Sequence, residues 1–141
     1  MTRIDFYLLT SIAPIARLQL VCRLADKAFQ QSHRITIHCE SAQQSKQLDD
    51  LLWTFRDGSF LPHSRYPNNE DPPPPIQVGH ETPPDGDADV LINLATTAPA
   101  FYTRFARVLE VVDESEANKQ SGRARFRYYR DQGHTPNTHK V

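Results

Sequence analysis

Two predominantly apolar runs in the second half of the chain constrain its fold more than any other feature. Val90, Leu91, Ile92 and Leu94 make up the first run. A strand that is apolar along its whole length is typical of a parallel sheet, where helices cover both faces. The second run, with Val108, Leu109, Val111 and Val112, predicts another buried strand.

The rest of the chain alternates between strand and helix patterns. Pro14 suits a first helical turn, and the apolar residues from Ile15 to Phe29 follow at helical spacing. Ser41 can cap a second helix, and 114–130 predicts a last helix with acidic residues early and basic residues late. A short helix is predicted around Ala98, Phe101 and Phe105, and further strands at 4–9, 35–39 and 76–78.

This alternation predicts one three-layer α/β/α, Rossmann-like domain over residues 1–141, with a mainly parallel central sheet of about five strands. The interval 62–88 is expected to be a proline-rich loop region, because Pro62 to Pro84 holds eight of the 11 prolines. Only the short strand at 76–78 is expected within it. The residues from 131 to 141 are expected to form an irregular C-terminal tail.

Composition indicates a cytoplasmic protein with no membrane segment. No apolar run approaches the roughly 18 residues that a membrane span requires, and the N-terminus has no secretory signal pattern. Cys22 and Cys39 each lie in an apolar stretch, which favours buried, reduced thiols over a disulfide or a metal site.

Sequence patterns that carry catalysis are missing. The five glycines form no phosphate-binding loop, and the six histidines never occur at metal-ligand spacing. A nucleophile elbow of the G-x-S-x-G type is also absent. We therefore expect no catalytic residues, no metal and no cofactor.

Charge is unevenly distributed although the formal net charge is only −1. The segment 79–89 is acidic, whereas 119–130 has five basic side chains and no acidic one. On a helix Lys119, Arg123 and Arg127 share a face at i, i+4 and i+8, with Phe126 and Arg130 beside them. The C-terminal helix is therefore the expected binding surface.

Several short motifs resemble the chi subunit family of bacterial DNA polymerase III. In chain order they are Phe6-Tyr7-Leu8-Leu9, Leu51-Leu52-Trp53, Ser59-Phe60-Leu61-Pro62-His63, Asp89-Val90-Leu91-Ile92-Asn93-Leu94, Val111-Val112-Asp113 and Gly122-Arg123-x-Arg125-x-Arg127-x-Tyr129-Arg130-x-x-Gly133. Each is weak alone, but their order and spacing match over nearly the whole chain. The proline-rich segment between Pro62 and Asp89 and the short connection from Asp113 to Lys119 depart from the family.

The resemblance implies an adaptor that has no active site and contacts DNA only indirectly. Family members bind the acidic C-terminal peptide of single-stranded-DNA-binding protein, which ends in a bulky apolar residue and a free carboxylate. The residues expected to bind it are Lys119, Arg123, Phe126, Arg127 and Arg130. Arg123 is expected to clamp the carboxylate, and Phe126 to form a pocket wall. The resemblance also implies binding to the psi subunit of the clamp loader through Trp53 and Phe60.

Two other interpretations remain open at this point. The basic, aromatic helix could bind single-stranded nucleic acid directly, with cations on phosphates and rings on bases. A small enzyme is the other alternative, because parallel sheets often place active sites at their strand ends. Fold alone cannot establish that activity. For individual residues, Arg125 and Tyr128 are expected to be plain surface, and Tyr129 to be core.

Overall fold

A seven-stranded, fully parallel sheet forms the centre of the protein, as seen in a computed structural model that describes residues 2–54, 61–68, 70, 72–86 and 88–141. The strands are β1 (Arg3–Leu8), β2 (Ile35–His38), β3 (His63–Arg65), β4 (Ile76–Gly79), β5 (Val90–Asn93), β6 (Arg107–Val112) and β7 (Asn137–Lys140). Their order across the sheet is β3-β4-β2-β5-β6-β1-β7. The helices are α1 (Pro14–Gln30), α2 (Ala42–Thr54) and α3 (Glu116–Asp131), with a 3-10 helix at Tyr102–Arg104.

Each face of the sheet has its own hydrophobic core. On one face α1 and α2 pack over the strands, and the core there includes Val21, Ile37 and Leu48. On the other face α3 and the 3-10 helix contribute Tyr129 and Tyr102 to a second core. The predicted three-layer α/β architecture with a parallel sheet is confirmed. No described helix combines the length and apolarity that a bilayer crossing requires.

Helix starts follow the sequence signals. Pro14 is the first residue of α1, and the Ser41 hydroxyl accepts a hydrogen bond from the Gln44 backbone N–H at the start of α2, 3.1 Å away. The last helix begins at Glu116, two residues later than predicted, because Ser115 is its N-cap. Cys22 and Cys39 are buried free thiols, as expected, and burial raises the pKa of each to about 12.

Three local predictions were wrong. The sheet has seven strands rather than about five, because the polar segments β3 and β7 also join it. Residues 137–140, expected to be part of an irregular tail, pair in register with Asp5 to Leu8 of β1. The helix expected around Ala98 to Phe105 is reduced to a single 3-10 turn at Tyr102–Arg104.

A buried carboxylate ties β7 to the rest of the sheet. Asp5 on β1 accepts hydrogen bonds from Arg107 Nε on β6 at 2.8 Å and from His139 Nε2 on β7 at 2.9 Å. Burial alone raises the pKa of Asp5, but the bonds from His139 and Arg107, with the charges of Arg107 and Arg3, outweigh it. The pKa of Asp5 is therefore lowered.

We expect this carboxylate to contribute stability that disappears in acid. A carboxyl whose pKa is depressed on folding stabilises the protein above its unfolded pKa, about 3.9 for Asp, and loses that effect as the pH falls further. Asp5→Asn should lower the urea midpoint at pH 7, and the gap to wild type should shrink below about pH 4. A gap that stays constant between neutral and acidic pH would contradict this role.

Candidate functional site

A cavity of about 260 Å³ lies between α3 and the neighbouring strands β6, β1 and β7. It is on the sheet face that α3 covers and reaches the carboxyl ends of β1 and β6, where the chain leaves the sheet. The lining residues are Phe6, Leu8, Leu9, Val112, Asp113, Glu114, Lys119, Gly122, Arg123, Phe126 and Thr138.

The floor of the cavity is apolar. Phe6 and Leu8 alternate with Asp5 and Tyr7 along β1, so both project toward α3. Phe126 on α3 packs against Phe6 with ring centroids 5.2 Å apart, while keeping part of its own surface accessible. The cavity can therefore accept an apolar side chain against aromatic and aliphatic walls.

Gly122 sets the distance between α3 and the floor. A Cβ added at this residue would come within 2.9 Å of Val112 Cγ2, closer than side chains approach each other. The helix backbone therefore lies directly on β6 at this point. Its close approach positions Lys119, Arg123 and Phe126, which lie within one turn of Gly122, around the cavity.

A buried polar network holds α3 against the sheet. Glu110 on β6 is fully buried and accepts hydrogen bonds from Arg125 Nε at 2.8 Å, Tyr129 Oη at 2.6 Å and Asn93 Nδ2 at 2.9 Å. Burial raises the pKa of Glu110, although these three partners act in the opposite direction. The expectation that Arg125 is plain surface was therefore wrong, because its guanidinium pairs with the strand. Tyr129 is core and Tyr128 is exposed, as predicted.

The first turn of α3 is fixed by a capping arrangement. The Ser115 hydroxyl accepts from the Asn118 backbone N–H, and Asp113 accepts from the Ser115 hydroxyl at 2.7 Å and from Asn118 Nδ2 at 2.9 Å. Burial raises the pKa of Asp113, but these hydrogen bonds and the charge of Arg17 outweigh it, so the pKa is lowered. The Asp113 carboxylate thus accepts hydrogen bonds from the start of α3, although the residue also lines the cavity.

The accessible charges around the cavity are two cations and one carboxylate. Lys119 Nζ lies 3.8 Å from Glu114 Oε2, and both side chains are partly exposed. Arg123 is exposed and forms no ion pair with any residue that the structure describes. Its guanidinium therefore remains available for a ligand carboxylate, which it could bind through two parallel hydrogen bonds.

The structure brings together three of the five residues predicted to bind the peptide. Lys119, Arg123 and Phe126 line the cavity. Arg127 and Arg130 do not line it and lie exposed further along α3. From Arg123 to Arg130 the helix advances about 10 Å, so Arg130 is too far along the axis to contact the same group. These two arginines extend the positive charge beyond the cavity.

Sequence reasoning missed the strand side of the site. The cavity is also lined by Phe6 and Leu8 on β1, by Leu9 directly after β1, by Val112 on β6 and by Thr138 on β7. The apolar β1 residues were recognised as a strand, but their pattern does not show which face they present. A usable signal was the prediction of a mainly parallel sheet, because the carboxyl ends of parallel strands meet at one edge of the sheet.

Of the two residues expected to bind psi, only Trp53 is described. It lies near the end of α2 with 53% of its surface exposed, and its ring packs on that of His63 with centroids 4.5 Å apart. Trp53 is thus not a core residue and presents an aromatic surface. Phe60 lies outside the described residues.

The described part of the chain contains no cluster of three or more His, Cys, Asp or Glu side chains that could hold a metal ion. The cavity itself combines an apolar floor with charged side chains at its border.

Comparisons with known proteins extend over the whole chain. A family model described as DNA polymerase III chi subunit, HolC, matches residues 1–137. Proteins named DNA polymerase III subunit chi are 44% identical in Pseudomonas aeruginosa and 31% identical in Escherichia coli. The first alignment covers 100% of this chain and 98% of the relative, and the second 98% and 97%.

A solved structure shows a similar fold. The chain aligns with one from the crystal structure of T4 UvsW at a TM-score of 0.69 and 12% identity, over 99% of this chain and 41% of that chain. At this low identity the likeness concerns the fold alone.

Proposed function

Because the chain belongs to the DNA polymerase III chi subunit family, we propose that it is a non-catalytic accessory subunit of the replicative polymerase that links two other components. One is the clamp loader, bound through the psi subunit. The other is single-stranded-DNA-binding protein, bound through its acidic C-terminal tail. On this proposal the subunit contacts DNA only indirectly.

The observation that carries the proposal is an apolar cavity bordered by Arg123, which has no ion-pair partner among the described residues. A tail ending in a bulky apolar residue would place that side chain in the cavity, against the Phe126 ring and the floor formed by Phe6 and Leu8. The terminal carboxylate would then lie near Arg123 at the cavity border. A hydrogen bond between two charged groups in a partly desolvated site is stronger than one between neutral groups. The cavity is slightly smaller than typical small-molecule sites, which measure about 300–1,000 Å³. Its volume therefore suits a single side chain.

The positive charge beyond the cavity suits the acidic residues that precede the end of the tail. Arg127 and Arg130 are exposed on α3 and have no ion-pair partner among the described residues. Exposed cations of this kind contribute little to affinity individually, but they increase the rate of encounter at low salt. We expect binding to weaken as the salt concentration rises.

Binding to single-stranded-DNA-binding protein can be separated from binding to DNA. The purified subunit would be mixed with the intact protein, with a variant lacking the C-terminal tail, and with bare single-stranded DNA at one salt concentration. We expect a complex with the intact protein alone. A complex with bare DNA of comparable affinity would instead support the direct nucleic-acid-binding alternative.

Trp53 provides a test of the proposed psi interface. Trp53→Ala should impair assembly with psi and leave tail binding unchanged, because the ring is exposed on α2, a helix of the opposite sheet layer. Gel filtration of mixtures with psi would measure assembly. The melting temperature is the control, since an exposed substitution should change stability by less than about 1 kcal/mol. Normal assembly with psi would remove Trp53 from the interface.

A further inference from the structure

Strand β7 forms one edge of the sheet and has a partner on one side only. It pairs with β1 through Asn137 to Lys140, and no other described strand lies beyond it. Three of its four residues are exposed, and His139 is partly exposed. An uncovered edge presents free backbone N–H and C=O groups to which another extended chain can pair.

The register shows which of these groups are free. The Val141 N–H donates to the Leu8 C=O at 3.0 Å, so the backbone groups of Val141 point toward β1. Peptide groups point alternately to the two sides of a strand, so His139 and Asn137 also face β1. The backbone groups of Thr138 and Lys140 therefore point away from the sheet, and they have no hydrogen-bond partner among the described residues.

The free edge is continuous with the cavity. Thr138 pairs with Phe6 and Lys140 pairs with Leu8, so their side chains project to the same sheet face as the cavity floor. Thr138 itself lines the cavity. The Lys140 side chain is exposed and adds a cation beside Leu8 on the same sheet face. An acidic chain leaving the cavity along β7 would thus meet a positive charge.

We propose that the acidic peptide bound in the cavity continues as an eighth strand along β7, hydrogen-bonded to the backbone of Thr138 and Lys140. This inference rests on the proposed function, since it concerns how the same peptide is held. Main-chain pairing at a sheet edge tolerates variation in the bound sequence, while the cavity selects the final side chain. The flexible tail would become ordered when it binds, and the exposed cations of α3 and Lys140 would attract it during its approach.

A proline substitution tests the pairing directly. Thr138→Pro removes one outward N–H and leaves the bonds between β7 and β1 intact, and proline is tolerated where an edge strand faces solvent. Thr138→Val is the matched control, because it keeps the N–H and replaces only the hydroxyl. The probe is a fluorescent acidic decapeptide ending in Phe with a free carboxylate, titrated by anisotropy.

We expect Thr138→Pro to bind roughly fivefold to tenfold more weakly than Thr138→Val, the scale of a hydrogen bond lost at an interface, because both variants lack the hydroxyl and only the proline also lacks the N–H. A second measurement uses wild-type protein and peptides methylated at one backbone nitrogen at a time. Weakening at alternate positions supports strand pairing even if the proline variant folds poorly. Equal affinity of all methylated peptides would overturn it.

The two proposals fail in different ways. If wild-type protein does not bind the decapeptide, the proposed function fails. If wild type binds but neither the proline nor any methyl group weakens the complex, only the strand-pairing inference fails.

Discussion

Arg125→Ala should lower the free energy of unfolding by about 3–5 kcal/mol, the scale expected when one partner of a buried ion pair is removed. The guanidinium is 2% exposed and lies 2.8 Å from the fully buried Glu110 carboxylate. Without it, the donors that Glu110 keeps among the described residues are the neutral groups of Tyr129 and Asn93. Urea denaturation followed by circular dichroism would measure the change.

The matched control for stability is Arg123→Ala, two residues earlier on the same helix. Its side chain is exposed and unpaired among the described residues, so the substitution should change stability by no more than about 0.5 kcal/mol. If Arg125→Ala and Arg123→Ala had equal and small effects, α3 would not depend on the Glu110 network.

Arg123→Ala should instead weaken binding of the acidic C-terminal peptide by about 1.5–3 kcal/mol, the scale of a hydrogen bond to a charged group. Arg123 lines the cavity and has no competing partner among the described residues, so its donors are free for the ligand carboxylate. Isothermal titration calorimetry with the decapeptide would measure the loss of affinity.

The comparison variant for affinity is Arg127→Ala. This residue is one turn further along α3 and does not line the cavity. The substitution should therefore weaken peptide binding by less than about 1 kcal/mol at moderate salt. Equal losses for Arg123 and Arg127 would indicate a diffuse electrostatic surface rather than a clamp.

The architecture was predictable because its strongest signals are apolar. The runs at 90–94 and 108–112 became β5 and β6, and the Pro14 and Ser41 signals marked the starts of α1 and α2. Burial of apolar side chains determines such elements, and it leaves a periodic pattern in the sequence. Within the site, Lys119, Arg123 and Phe126 were predictable from their helical spacing, together with the family resemblance.

The remaining features depend on contacts between distant residues. Strand β7 consists of Asn137, Thr138, His139 and Lys140, whose polar side chains give no strand pattern. What places it in the sheet is pairing with β1, including the bond from His139 to Asp5, 134 residues apart in the chain. Arg125 was expected at the surface because its partner, Glu110, is 15 residues away in an otherwise apolar strand. The spacing of apolar and polar residues in the sequence does not indicate such pairs.

On the proposed function, the cavity under α3 recognises the end of another polypeptide. Its most direct test is a titration of wild-type protein with the acidic decapeptide ending in Phe, carrying either a free carboxylate or a terminal amide. We expect saturable binding of the free acid and at least tenfold weaker binding of the amide, because Arg123 would lose its charged partner. Equal affinity for the two peptides would contradict the account.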